Sequence, residues 1–168
     1  MDENHIQGFV AGSEYVALKD REDEIVSVLI VKEYTKGVGT IVRYATSCNV
    51  RGGFTKLLSH IERSGRYHTL ETFADHEVSD GGLYEKSGFT AEYELKPDYK
   101  YLYKNVRCHK FGFRKKRFKN DPALIWKEGL TERELAELNG ISRIWDSGKT
   151  KYVKSLDRIT SRKEQEKE

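Results

Sequence analysis

Long apolar runs and paired cysteines are missing from this sequence of 168 residues. No apolar run approaches the roughly 20 residues that cross a bilayer, and the acidic opening Met1-Asp2-Glu3-Asn4 does not match a secretory signal. The two cysteines, Cys48 and Cys108, exclude a disulfide framework and lack the paired spacing of a zinc site. We therefore expect a cytoplasmic protein without a metal site.

Acidic residues are absent from one stretch of the chain. Residues 1–98 carry 11 basic and 17 acidic side chains, whereas residues 99–168 carry 19 basic and 10 acidic ones. Between Tyr99 and Asn120 there are nine basic residues and no acidic one. Basic clusters with interleaved aromatic residues are typical of surfaces that face nucleic acid, and a solvated face that only aids solubility is the alternative.

A strand, a glycine turn and a helix follow one another in the middle of the chain. Residues 40–46 read as a strand, and the turn at 47–53 contains Gly52 and Gly53. The next residues predict a helix because the apolar positions recur at spacings of three and four, at Phe54, Leu57, Leu58 and Ile61. The N–H groups at such a helix start are free and the helix dipole favours negative charge, so this junction can hold a phosphate.

The surrounding segments predict an α+β fold. A second strand at 68–74 leads to a short helix at 83–86 that Gly88 ends. The segments 14–19 and 24–31 form a hairpin before this unit, and strands at 90–95 and 99–103 follow it. We expect a mixed sheet flanked by helices over residues 1–106.

The remainder predicts a small basic extension over residues 107–154. A short helix is held by three phenylalanines, Phe111, Phe113 and Phe118. Thr131 and Glu134 form the capping box of a further helix, and residues 141–153 read as a small hairpin. The charged tail at 155–168 is expected to be disordered.

The central segment resembles the GNAT acyltransferase fold, in which a glycine-bearing loop and a helix hold the pyrophosphate of acyl-CoA. The sequence motif Leu83-Tyr84-Glu85-Lys86-Ser87-Gly88-Phe89 is similar to a segment of that family. The resemblance implies an acyltransferase that uses acetyl-CoA or another acyl-CoA. It implies phosphate contacts at the loop residues Asn49, Val50, Arg51, Gly52, Gly53 and Phe54. Aligned on Leu57-Leu58, however, Phe54 takes the place of a small residue, and we expect its ring to obstruct the pyrophosphate.

A narrower resemblance is to the GNAT-like region of bacteriophage proteins labelled Hef-like homing endonucleases, and a more distant one is to Mom-type DNA-modification proteins. The narrower resemblance rests on residues 4–8, on Arg51-Gly52-Gly53, on Ala74-Asp75, Ser79, Gly81 and residues 83–89, and on residues 130–132, 139–140 and 143–148. It implies a phage protein in the cytoplasm of an infected bacterial cell.

Three side chains are candidates for catalysis. The resemblance makes Tyr84 the acid that protonates the leaving thiolate. Asp75 and His76 directly follow a buried strand, where open sheets place ligand-contacting groups, so either could deprotonate an attacking amine. Ser79 is a candidate substrate contact. The alternatives are that Tyr84 packs under a helix, that Asp75 caps the following turn and that Ser79 caps a helix.

Two functions are therefore open. The first is a phage GNAT-like N-acyltransferase that acts on DNA or on a nucleobase-linked amine. The second is a noncatalytic DNA-binding module related to phage homing endonucleases, whose cofactor pocket has decayed. In both, the expected DNA contacts are Lys110, Arg114, Lys115, Lys116, Arg117 and Lys119.

Overall fold

The computed structural model describes residues 8–156. Of the predicted motifs, residues 4–7 and the tail from 157 onward lie outside the described residues. Ser155, which we assigned to a disordered tail, is the last residue of a strand. The described residues divide into one unit of residues 8–94 and 150–156 and a second unit of residues 95–149. No helix in the described part is long and apolar enough to cross a membrane.

Nine strands and four α-helices make up the described chain. The strands are β1 Glu14–Lys19, β2 Ile25–Thr35, β3 Val38–Thr46, β4 Thr69–Asp75, β5 Thr90–Leu95, β6 Tyr99–Tyr103, β7 Val106–Cys108, β8 Ser142–Trp145 and β9 Lys149–Ser155. The helices are α1 Gly53–Arg63, α2 Gly82–Lys86, α3 Lys115–Asn120 and α4 Glu132–Leu138, with a 3-10 turn at Lys110–Phe113. The predicted α+β class is confirmed.

The first unit is built on a six-stranded sheet in the order β1-β2-β3-β4-β9-β5. Strand β2 is antiparallel to both β1 and β3, and β3 and β4 are parallel, joined through α1. The expected hairpin, central strands and short helix are therefore present. The sheet is mixed because the crossover through α1 forces a parallel pair beside the antiparallel hairpin.

Helix α1 buries one face against this sheet. Leu57, Leu58 and Ile61 are each at most 2% exposed, and they share a core with Leu29 and Leu70. Complete burial of an aliphatic side chain contributes about 1.5–3 kcal/mol, so the apolar stripe that predicted the helix also fixes it to the sheet.

The second unit has its own three-stranded sheet, in the order β7-β6-β8. Its core contains Tyr101, Phe113, Phe118 and Leu135, all essentially inaccessible to water. Helix α4 begins with the predicted capping box, in which the Thr131 hydroxyl and the Glu134 carboxylate bond reciprocally to each other's backbone N–H groups.

Three predictions for this region are wrong. Residues 141–153 do not form a hairpin, because β8 pairs with β6 whereas β9 lies between β4 and β5 in the other sheet. Strand β6, which we placed with the first sheet, lies in the second one. Phe111 does not anchor the basic segment, because it is 60% exposed while Phe113 and Phe118 fill the core.

Candidate active site

The glycine turn between β3 and α1 has a left-handed residue at its end. Gly52 is the N-cap of α1 with φ 67°, a conformation that glycine adopts without steric cost. The Gly53 N–H donates to the carbonyl oxygen of Val50 at 3.0 Å, and the Lys56 N–H donates to that of Gly52 at 2.9 Å. The turn is thus held by its own backbone.

Four backbone N–H groups around this turn remain available. Within residues 8–156, no protein atom accepts a hydrogen bond from the N–H of Arg51, Gly52, Phe54 or Thr55. The first turn of α1 contains no acidic residue, and the side chains of Arg51 and Lys56 are exposed. Free amides, the positive end of an eleven-residue helix and two cations together make a site for an anion such as a phosphate.

The side chain of Phe54 is buried on the face of α1 that packs into the core of the first unit. It is 3% exposed, and its ring packs edge-on against Tyr44 at 5.1 Å and Tyr84 at 5.8 Å between centroids. The expectation that Phe54 obstructs the loop is therefore wrong. Its spacing of three and four from Leu57 and Leu58 places it on the buried stripe of α1, so only its backbone N–H faces the anion site.

The sequence prediction missed Thr55 and Lys56. Both are exposed in the first turn of α1, where they flank the free amides. The helical period that buries Phe54 and Leu57 leaves these two positions outside, so the signal was present in the spacing itself.

Strands β3 and β4 open a gap at the same end of the sheet. Their parallel pairing extends from Val38 and Thr69 to Ile41 and Thr72, and within the described residues it goes no further. Beyond this point β3 continues to Thr46 and β4 continues to Asp75. Because the strands are parallel, the turn after β3 and the residues after β4 meet at one edge, the usual place for a ligand crevice in such sheets.

Tyr84 lies on α2 and packs against the first turn of α1. The half-buried ring contacts Phe54, Phe89 at 6.0 Å and Tyr152 at 5.6 Å between centroids. No atom of the described residues bonds to its hydroxyl. The ring therefore has the packed position that the alternative interpretation predicted, and no side chain of the described residues engages its hydroxyl.

Asp75 and His76 lie where β4 ends, as their position in the sequence predicted. The Asp75 carboxylate accepts a hydrogen bond from the Glu77 N–H at 3.2 Å, which makes it a cap of its own turn. His76 Nε2 lies 2.8 Å from the hydroxyl oxygen of Thr150 on β9. One ring nitrogen of His76 is thereby oriented by a neutral partner.

Ser79 comes three residues after His76, and both line a surface cavity. The Ser79 hydroxyl accepts a hydrogen bond from the Gly81 N–H at 3.1 Å, so it stabilises the start of α2. The cavity has a volume of about 670 Å³ and is lined by His76, Val78, Ser79 and Asp80. This volume is in the range of small-molecule sites, about 300–1,000 Å³.

An ion-pair network joins three neighbouring strands of the sheet. Lys151 on β9 lies 3.0 Å from a carboxylate oxygen of Glu71 on β4 and 3.0 Å from one of Glu92 on β5. Partial burial acts to raise the pKa of Glu71, but hydrogen bonds from the Thr40 hydroxyl and from Lys151 outweigh it, and the pKa is lowered. Glu71 is thus a structural carboxylate. Within residues 8–156, no three His, Cys, Asp or Glu side chains are grouped to hold a metal ion.

Half of the predicted DNA contacts are engaged within the second unit. Lys110 pairs with Asp98 at 2.6 Å, and Arg114 lies 3.6 Å from a carboxylate oxygen of Glu132. Arg117 stacks on the Phe113 ring at 4.2 Å, and it is therefore a packing residue as well as a charge.

The other three are free to bind. Lys115, Lys116 and Lys119 are exposed on α3, and their side chains form no ion pair in the described part of the chain. The second unit contains 14 basic and 7 acidic residues, a net charge of +7. Its surface is therefore suited to a polyanion.

The arrangement of turn, helix and opened parallel strands is that of a GNAT-like fold. No protein-family model and no curated protein sequence matches the chain. A spermidine/spermine N-acetyltransferase from Vibrio cholerae matches in structure with a TM-score of 0.50 at 10% identity, over 88% of this chain and 68% of that one. This likeness shows the fold, as the sequence resemblance implied.

Two further solved structures match with lower scores. One is a protein of Desulfovibrio desulfuricans assigned to the GNAT acetyltransferases, with a TM-score of 0.48 at 14% identity, over 84% of this chain and 67% of that one. The other is a GNAT family acetyltransferase of Elizabethkingia anophelis with acetyl-CoA bound, with a TM-score of 0.43 at 16% identity, over 81% and 72%.

Proposed function

We propose that this protein is a GNAT-type N-acyltransferase that takes its acyl group from acetyl-CoA or another acyl-CoA. The observation that carries the proposal is the set of free amides at the start of α1, beside the gap between β3 and β4. A diphosphate requires several donors and positive charge at one place, and this turn supplies both. The fold shared with the Vibrio cholerae enzyme supports the same activity.

Different residues of the site bind the cofactor, accept a proton and donate a proton. The N–H groups around Gly52 and the guanidinium of Arg51 bind the pyrophosphate of acyl-CoA. When bound, acyl-CoA supplies an acyl group activated as a thioester. His76 or Asp75 accepts the proton of the attacking amine at the end of β4, and Tyr84 donates its proton to the departing sulfur.

We further propose that the acceptor amine belongs to DNA or to a nucleobase, and that the protein is related to the phage Hef-like and Mom-type proteins. The net charge of +7 in the second unit and the unpaired lysines of α3 support a DNA partner. The same observations favour the second candidate, a noncatalytic DNA-binding module. The two candidates differ in whether the turn after β3 binds acyl-CoA.

Calorimetric titration with acetyl-CoA separates the two candidates. We expect Arg51→Glu to weaken binding roughly 10- to 150-fold, because a hydrogen bond to a charged group contributes about 1.5–3 kcal/mol. Arg63→Glu is the matched control, since Arg63 is an exposed arginine in the last turn of the same helix. If acetyl-CoA does not bind the unsubstituted protein, or if both variants bind it equally well, the acyltransferase proposal fails.

Measurement of DNA binding tests the acceptor. A fluorescently labelled DNA should bind with an affinity that falls steeply as salt rises, because lysine–phosphate contacts release counterions. Binding of acetyl-CoA without any binding of DNA would leave an acyltransferase with another acceptor.

A further inference from the structure

The second unit has a groove in which an exposed aromatic ring is surrounded by cations. Its volume is about 530 Å³, and its lining includes Phe111, Arg114, Lys116, Arg117, Asn120 and Asp121. The Asp121 carboxylate is engaged by Arg117 at 3.6 Å. All the lining residues belong to residues 111–121 of the second unit, and none of them belongs to α1.

The packing of the core of this unit does not explain why Phe111 is exposed. Phe113 and Phe118 fill that core with 0% exposure, whereas Phe111 keeps 60% of its surface in contact with solvent. The Phe111 ring lies 4.9 Å from the His109 ring, between centroids, and 4.7 Å from the guanidinium carbon of Arg114. The ring thus contacts an imidazole and a guanidinium yet keeps more than half of its surface in solvent, and we refer to it as an aromatic platform.

The charges around this platform fit a nucleic-acid strand. Lys116 lines the groove, Lys115 and Lys119 lie on the same helix, and none of the three has an ion-pair partner among the described residues. Asn120, also in the lining, offers an amide that can both donate and accept hydrogen bonds. Proteins that bind single strands combine a positive groove with an aromatic ring on which a base stacks.

We propose that this groove binds single-stranded DNA, with one unpaired base stacked on Phe111 and the backbone phosphates on the lysines of α3. The inference rests on the DNA partner of the proposed function and deepens it. A base inside a duplex is already stacked on both faces, so only an unpaired base can lie on the Phe111 ring. The protein therefore favours an unpaired strand over a duplex.

Fluorescence anisotropy with three probes tests this site: a short oligothymidylate, the same strand with abasic sugars, and a duplex. Phe111→Ala should weaken oligothymidylate binding roughly 5- to 150-fold and leave abasic-strand binding unchanged, because it removes stacking only. Phe111→Trp should retain binding. Ile125→Ala is the matched control, since Ile125 is an equally exposed apolar residue of the same unit outside the groove.

Replacement of Lys115, Lys116 and Lys119 by alanine should weaken binding of all three probes. The slope of log affinity against log salt should fall by about 2 for the single strands, at about 0.7 per phosphate contact. The inference is overturned if Phe111→Ala binds oligothymidylate as well as the unsubstituted protein does, or if it weakens the abasic strand equally. It is also overturned if the duplex binds as tightly as the single strand.

Acetyl-CoA titration of the same Phe111→Ala protein distinguishes the two proposals. Unchanged acetyl-CoA affinity beside lost oligothymidylate affinity supports both sites. If Phe111→Ala binds acetyl-CoA and loses no affinity for oligothymidylate, the groove proposal fails and the acyltransferase proposal stands.

Discussion

Substitution of Gly52 by alanine separates the structural role of the turn after β3 from its binding role. Gly52 has φ 67°, and a residue with a side chain in this left-handed region costs about 1–2 kcal/mol. Apart from its neighbours in the chain, a Cβ atom added there would meet no atom of the described residues within 4 Å, so no steric clash adds to that cost. We therefore expect Gly52→Ala to lower the free energy of unfolding by about 1–2 kcal/mol. In a chain of this length, that lowers Tm by about 2–4 °C for each kcal/mol.

The effect on acetyl-CoA affinity should be larger than the effect on stability. The added methyl group would occupy open space in the turn that carries the free amides of Arg51 and Thr55, and we expect it to hinder the approach of a phosphate to them. Loss of one hydrogen bond from an amide N–H to a charged phosphate corresponds to about 1.5–3 kcal/mol. The dissociation constant should rise at least roughly tenfold.

Gly65→Ala provides a closely matched control. Gly65 has φ 65°, its added Cβ would also meet nothing within 4 Å, and it lies just beyond the other end of α1. Urea unfolding should show the same loss of stability in both variants, while calorimetric titration should show weaker acetyl-CoA binding for Gly52→Ala only. Equal dissociation constants for the two variants would refute the placement of the diphosphate at Gly52.

Three further substitutions have distinct expected results. Phe54→Ala should lower the free energy of unfolding in urea by about 3–5 kcal/mol, because it empties a buried aromatic position. Tyr84→Phe should lower kcat by roughly 10²- to 10⁴-fold without changing the dissociation constant of acetyl-CoA, because it removes only the proton donor. Glu71→Gln should make the free energy of unfolding fall less steeply as the pH is lowered. The lowered pKa of Glu71 means that its ionised form stabilises the fold above the ordinary value of 4.5, and this contribution is lost as pH falls through the folded pKa.

Each of these results has a contrary outcome. Phe54→Ala would contradict the structure if it tightened acetyl-CoA binding at unchanged stability, since that is the behaviour of an obstructing ring. An unchanged kcat in Tyr84→Phe, with release of the thiol followed directly, would show that Tyr84 only packs and does not donate the proton. If thermal unfolding of Glu71→Gln followed the same pH dependence as the unsubstituted protein, Glu71 would not be the carboxylate that titrates.

Much of the first unit could be predicted because its signals are local. The spacing of Phe54, Leu57 and Leu58 fixes which face of α1 is buried, and glycine at 52 marks where that helix begins. The same spacing contradicts the obstruction by Phe54 that alignment to a family pattern suggested. The periodicity of the chain itself was the better guide to where that ring lies.

Partners distant in sequence could not be predicted in this way. The segment around Trp145 and Lys149 has turn residues between two apolar stretches, as a hairpin has, yet β8 and β9 pair in different sheets. Likewise, composition shows that Arg117 is basic but not that it stacks on Phe113. Local pattern reports which residues can form a strand or carry a charge, and only tertiary packing decides what they contact.

The position of β9 also bears on how the protein is made. As the nascent chain leaves the ribosome, β1 to β4 and α1 emerge together and can pair at once. Strand β5 emerges next, but its neighbour in the sheet is β9, which is synthesised only after the whole of residues 95–148. Pairing across so long a separation is slow to form, so insertion of β9 is the last step in completing this sheet, and β5 stays without a hydrogen-bonded neighbour until translation has passed Lys149.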